Sequence, residues 1–224
     1  MHLPGGVAVR RQQLPVAPSL RGGSPIPLGR LLVAGLALGA GAGRAHGQIP
    51  DTAYAVVTAT LPLPSDLQLG ATVGRFSPGG TLDTLRRGTN PMVCFADIPT
   101  DTILDVRCYH SSFVPLIYRA RELYRSGLTD SAVDARMAAE LRNGTLPLPA
   151  FPTTGYRVYG PLRDFNAVTH EMGPGLDRWQ SIHMPFATRA ALGVTDVEHG
   201  TDIYMMAEGS WWAHLMIMQK PLRY

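Results

Sequence analysis

Imidazole and thioether groups recur together in the last third of this chain, at His170-Glu171-Met172, His183-Met184 and His214-Leu215-Met216-Ile217-Met218, with Met205-Met206 between them. Such donors suit copper, and Cu(I) in particular. If 211–218 is a strand, its period of two sets Trp212, His214, Met216 and Met218 on one face. His183, His214, Met216 and Met218 are therefore the candidate metal ligands. The competing reading is packing, because methionine fills irregular cores and alternate methionines describe one buried face. No H-x-x-H, H-E-x-x-H or paired-cysteine motif supplies a spaced chelate. On the packing reading no cofactor is expected; copper is the one these residue types would suit.

Acid–base and nucleophilic chemistry has fewer carriers. His110-Ser111-Ser112 places hydroxyls beside an imidazole, but Ser112 also stands where it would cap a helix. His170 with Glu171 or Asp164 forms an acid–base set for a hydrolase, and a solvated turn explains the same residues. No G-x-S-x-G elbow is present. Asp97, Asp101 and Asp105 recur every four residues and lack the spacing of a calcium loop. Gly79-Gly80 and Gly173-Pro174-Gly175 are too short to cradle phosphate. Trp211 and Trp212 are the candidate interaction residues. Neighbours on a strand point to opposite faces, so one indole would be exposed unless both faces are covered.

The chain has only two cysteines, Cys94 and Cys108, and no C-x-x-C. A structural disulfide is expected, with a free or ligand-binding thiol as the alternative. Closing a loop of about 15 residues would contribute on the order of 3 kcal/mol.

Export is legible in the first 47 residues. Arg30 precedes the apolar run 31–43, whose 13 residues suit a signal-peptide core and fall short of the roughly 20 that span a membrane. Ala45-His46-Gly47 then supplies small residues for cleavage before Gln48. Residues 1–29 are rich in Pro, Gly and Arg, and Arg10-Arg11 lies about 20 residues ahead of the apolar run. The mature chain is expected in the periplasm or outside the cell, without a membrane anchor. The leader also carries five arginines and no acidic residue, so 48–224 holds 15 basic against 17 acidic groups, a net of −2. The basic isoelectric point of about 9.1 belongs to the leader, and no nucleic-acid partner is expected.

The elements that would position these residues read as α+β: an antiparallel sheet packed against a helical hairpin, in one disulfide-stapled domain over 48–224. Ala53–Thr60 is a strand or a short helix, ended by Pro62 and Pro64. Ala71–Phe76 and Thr81–Leu85 flank Ser77-Pro78-Gly79-Gly80, which has the composition of a type II turn. Arg86–Asn90 reads as a polar turn before a strand at Met92–Ala96, and Asp97–Asp105 as an acidic loop. Phe113, Leu116, Ile117, Ala120, Leu123 and Tyr124, then Val133, Met137, Ala138 and Leu141, recur at helical spacing, with Ser112 and Thr129 as caps and Gly127 between. Further strands are expected at Tyr156–Tyr159, Ser181–Phe186, Asp202–Ala207 and Trp211–Met218, with a brief helix at Thr188–Leu192.

Several patches, Ala71-Thr72-Val73, Leu85–Asn90 with Cys94, Ser181–Phe186 and Trp212–Ile217, resemble a family of uncharacterised exported bacterial proteins. That pattern usually carries an aromatic residue after Gly-Thr-Asn, where Pro91-Met92 stand here. The resemblance implies export and a common domain, with no catalytic or binding residue to carry over. The expected function is that of a binding or accessory module for a protein or small ligand, with soft-metal binding and His170 hydrolysis as the alternatives.

Overall fold

The computed structural model describes residues 52–97, 102–195 and 203–218, all within one unit spanning Ala45–Tyr224. The leader, the cleavage position at Gly47–Gln48 and Asp101 lie outside the described residues. The elements run α1 (Thr52–Thr60), α2 (Ser65–Gln68), β1 (Thr72–Phe76), β2 (Leu82–Arg86), β3 (Met92–Phe95), β4 (Ile103–His110), α3 (Val114–Arg125) and α4 (Asp130–Arg142). After them come β5 (Thr153–Pro161), β6 (Asp177–His183), α5 (Arg189–Leu192), β7 (Ile203–Met206) and β8 (His214–Met218). The strands form one sheet in the order β2-β1-β3-β4-β5-β6-β8-β7. The α+β class holds, with one departure. Every neighbouring pair is antiparallel except β1 and β3.

That parallel pair comes from the segment read as a polar turn. After β2 the chain crosses the end of β1 and enters on its other side. Thr89 and Asn90 amides donate to the Gly70 carbonyl, the Gly88 amide donates to Thr72 Oγ1, and the Arg86 guanidinium donates to the Ala71 carbonyl. A Cβ on Gly88 would stand 2.3 Å from the Thr72 nitrogen, so only glycine allows the crossing.

The hairpin turn also differs from the type II expectation. Positive φ falls on Gly80, at 84°, while the Gly80 amide donates to the Ser77 carbonyl. This is a tight turn completed by a left-handed glycine one position later.

Alternation assigns the two faces. Val73, Cys94, Val106, Cys108 and Val158 point to one side, where α1 lies over the centre of the sheet. Of the two readings for 53–60, helix prevails. Thr58 and Thr60 hydroxyls donate to carbonyls three and four residues back, and Ala55 and Ala59 pack on the sheet. The opposite face presents Phe76, Phe95 and Tyr109 to the expected helical hairpin, whose Phe113, Leu116, Val133 and Met137 are fully buried.

Two caps differ from expectation. His110 caps the turn 111–113 by accepting the Ser112 amide, and Thr129 makes no side-chain cap, its hydroxyl pairing with Ser131.

The acidic loop is shorter than expected, because Ile103–His110 pairs along its length with β3 and β5. The disulfide joins directly opposed residues, Cys94 and Cys108, with Cα atoms 4.0 Å apart. No helix among the described residues is long and apolar enough to cross a membrane.

Candidate functional site

β6 and β8 run antiparallel, and their register sets His183 directly opposite His214. The ring centroids are 4.9 Å apart and the planes 32° from parallel. Both residues are buried, at 2% and 6% exposure. Around them stand Trp212, 4.8 Å from the His183 ring, Phe113 at 4.3 Å and Tyr109 at 5.6 Å. Phe113 and Tyr109 come from the end of β4 and the turn into α3, so the hairpin closes one side of an aromatic box.

Each imidazole spends one nitrogen on a hydrogen bond. His214 Nδ1 lies 2.7 Å from the Trp212 carbonyl, which can only accept; the proton is therefore on Nδ1 and the lone pair on Nε2. His183 Nε2 lies 3.1 Å from Ser181 Oγ, whose hydroxyl donates to the Gly155 carbonyl. This chain of bonds leaves the His183 lone pair on Nδ1, which is buried and has no partner. Burial, and then the nearby His214, push the His183 pKa well below 6.5. Burial lowers that of His214 too, against the opposing pull of the Trp212 carbonyl. Both rings are neutral at pH 7, the state in which imidazole binds metal.

Gly155 makes this approach sterically possible. A Cβ there would stand 2.6 Å from Ser181 Oγ and 2.8 Å from His183 Nε2. Met216 is buried on the His214 face and pairs in register with Ser181. Met218 pairs with Trp179 by register, and its side chain lies outside the described residues. Among the described residues no three His, Cys, Asp or Glu side chains come together to hold a metal ion. Any ion here would be held by two imidazoles, with the thioether of Met216 as the remaining soft donor nearby. The cysteines offer no thiolate, because both are in the disulfide.

The remaining candidates fall elsewhere. Trp211 and Trp212 precede β8 in a turn instead of lying on the strand. Trp211 is buried in the helical-hairpin core and donates to Asp134, and Trp212 is half-buried against the imidazoles. Neither indole is a free surface platform. His170 is exposed on the turn between Phe165 and Met172, at a φ of 60°, and stacks edge-distant on Phe165 at 6.5 Å. The shallow concavity there is lined by Asp164 and Glu171 and not by His170. Ser112 Oγ does reach His110 Nδ1 at 2.8 Å, but that nitrogen already accepts the Ser112 amide as a helix cap.

The same sheet face carries a charged cluster that sequence reading missed. Asp105 on β4 accepts paired hydrogen bonds from Arg107, at 3.0 and 2.7 Å, and from Arg157 on β5, at 2.8 and 2.9 Å. Burial by itself would raise the Asp105 pKa; the hydrogen bonds from Arg107 and Arg157 overcome it and hold the group at about 2. Arg157 also lies over the rings of Tyr159 and Trp179. Charge alternation in Asp105-Val106-Arg107 was the available signal.

No family model, curated protein or solved structure matches this chain.

Proposed function

We propose that this protein is an exported, non-enzymatic binding domain, and that the imidazole pair of β6 and β8 is its site for a soft metal ion, Cu(I) first. The observation that carries this reading is the register pair His183–His214, with rings 4.9 Å apart and a buried, unpartnered Nδ1 on His183. An orphaned buried acceptor costs about 1–3 kcal/mol, and a bound cation would satisfy it. Two neutral imidazoles in an aromatic box, with the buried Met216 on the same sheet face, suit a soft monovalent ion far better than a hard one with oxygen ligands.

Export supports the choice of metal. The leader has the form of a signal peptide, and the disulfide is of a kind rare in the cytosol. The periplasmic or extracellular location, with cleavage near Gly47–Gln48, belongs to this proposal.

The test is a Cu(I) competition titration of the purified protein against a chromophoric chelator, with ascorbate as reductant. One-to-one binding is expected, lost in His214→Gln and weakened in Met216→Leu, each variant checked for folding by circular dichroism. Failure of the wild-type protein to compete with even a weak chelator would overturn the proposal.

A further inference from the structure

A second cluster, built from different residues, holds positive charge without a counterion. Arg121 on α3 lies over the Phe76 ring, its Cζ 3.9 Å from the centroid. One turn further along α3, the Arg125 guanidinium packs against Gly80 at the tip of the β1–β2 hairpin, where a Cβ would collide with it. Beneath them, Arg107 of β4 is close enough to act electrostatically on Arg121.

The carboxylates nearby are already committed. Glu122 pairs with Arg119 at 2.6 Å, and Asp105 is shared between Arg107 and Arg157. Among the described residues neither Arg121 nor Arg125 has a carboxylate within ion-pair distance, and Arg121 Nε is buried with no hydrogen-bond partner. Burial first, and then Arg107 and Arg125, lower the Arg121 pKa. An open concavity of about 510 Å³ lies over this cluster, and its lining joins Phe76, Tyr118, Arg121 and Arg125 to the Arg119–Glu122 pair, whose carboxylate is thereby neutralised.

Crowding guanidinium groups is unfavourable unless an anion sits among them. Stacking on an aromatic ring leaves the fork of Arg121 free, and a planar fork matches an oxoanion with two parallel hydrogen bonds. We propose that the concavity between α3 and the β1–β2 hairpin binds a phosphate group, free or as a monoester, through Arg121 and Arg125. A dianion would neutralise both guanidinium groups, whereas chloride offers no paired acceptors. The phosphate site shares no residue with the imidazole pair, so it stands whether or not copper binds.

The experiment is isothermal titration of the purified full chain with inorganic phosphate and, separately, glycerol 1-phosphate, at constant ionic strength set by chloride. Saturable one-to-one binding is expected. Arg121→Met should weaken it about tenfold or more, the loss that one charge-assisted contact implies. Arg125→Gln, at an exposed position, gives a second reading should Arg121→Met fold poorly. Arg87→Gln, at an exposed position just past the end of β2, removes the same charge outside the lining of the concavity and should leave affinity unchanged. Tighter binding of glycerol 1-phosphate would identify a monoester as the ligand, and tighter inorganic phosphate the free ion. No saturation with either probe, or equal losses in Arg121→Met and Arg87→Gln, would overturn the proposal.

Discussion

The indole Nε1 of Trp211 donates to Asp134 Oδ1 at 2.9 Å, across 77 residues of sequence. This bond ties the turn before β8 to the second helix of the hairpin, and so couples the imidazole strand to the helices that close its aromatic box. Asp134→Ala would leave a buried indole N–H without a partner. The expected cost is about 1–2 kcal/mol, read as a lower urea midpoint, with no change in disulfide content.

The disulfide gives a second expectation. Cys94 and Cys108 are fully buried, and their bond closes a loop with a sequence separation of 14. Cys94→Ala/Cys108→Ala should lose on the order of 3 kcal/mol by the chain-entropy argument. Urea unfolding of the two proteins measures this directly. A loss near zero would mean that β3 and β4 hold their register without the bond.

Gly155→Ala probes how closely β5 and β6 bring Ser181 and His183 together. The new methyl would meet Ser181 Oγ and His183 Nε2 inside 3 Å. Overpacking of this kind costs about 1–3 kcal/mol. Copper affinity should fall along with stability, since His183 must move. A stable variant with unchanged copper affinity would argue that His183 takes no part in binding.

Acid should weaken the fold through the same imidazoles. His183 and His214 have folded pKa values below 6.5, so the unfolded chain binds protons that the native protein refuses. Their contribution is fully present above about pH 6.5 and is lost as pH falls toward the folded values, by up to ~1.4 kcal/mol per pH unit for each ring. Asp105, held at about 2, loses its contribution only in stronger acid. Urea midpoints at about pH 7.5, 6 and 5 should therefore decline, and His214→Gln should flatten the decline.

Local signals account for much of the fold. The 3.6-residue stripes of Leu116–Leu123 and Val133–Leu141 described the helical hairpin, because one apolar face against the core is enough to set a helix. The 53–60 segment was open between strand and helix, since its small and β-branched residues suit both, and the sheet beneath it decided. Ile103–His110 was hidden by its charges. Asp105 and Arg107 look like loop residues until Arg157, 52 positions from Asp105, supplies the partner that lets them sit on a sheet.

Local sequence pattern by itself determined the even cysteine pair, the α+β class and the residue types able to hold a soft metal, because each depends on residue type and spacing along the chain. Only the tertiary structure decided that β1 and β3 run parallel, that His183 faces His214 while His170 stands apart, and that Arg121 and Arg125 share a concavity whose one carboxylate, Glu122, is paired with Arg119. Those are facts of register and crossing. A shift of one residue in strand pairing would carry either imidazole to the opposite face, and no local pattern encodes which partner a strand will meet.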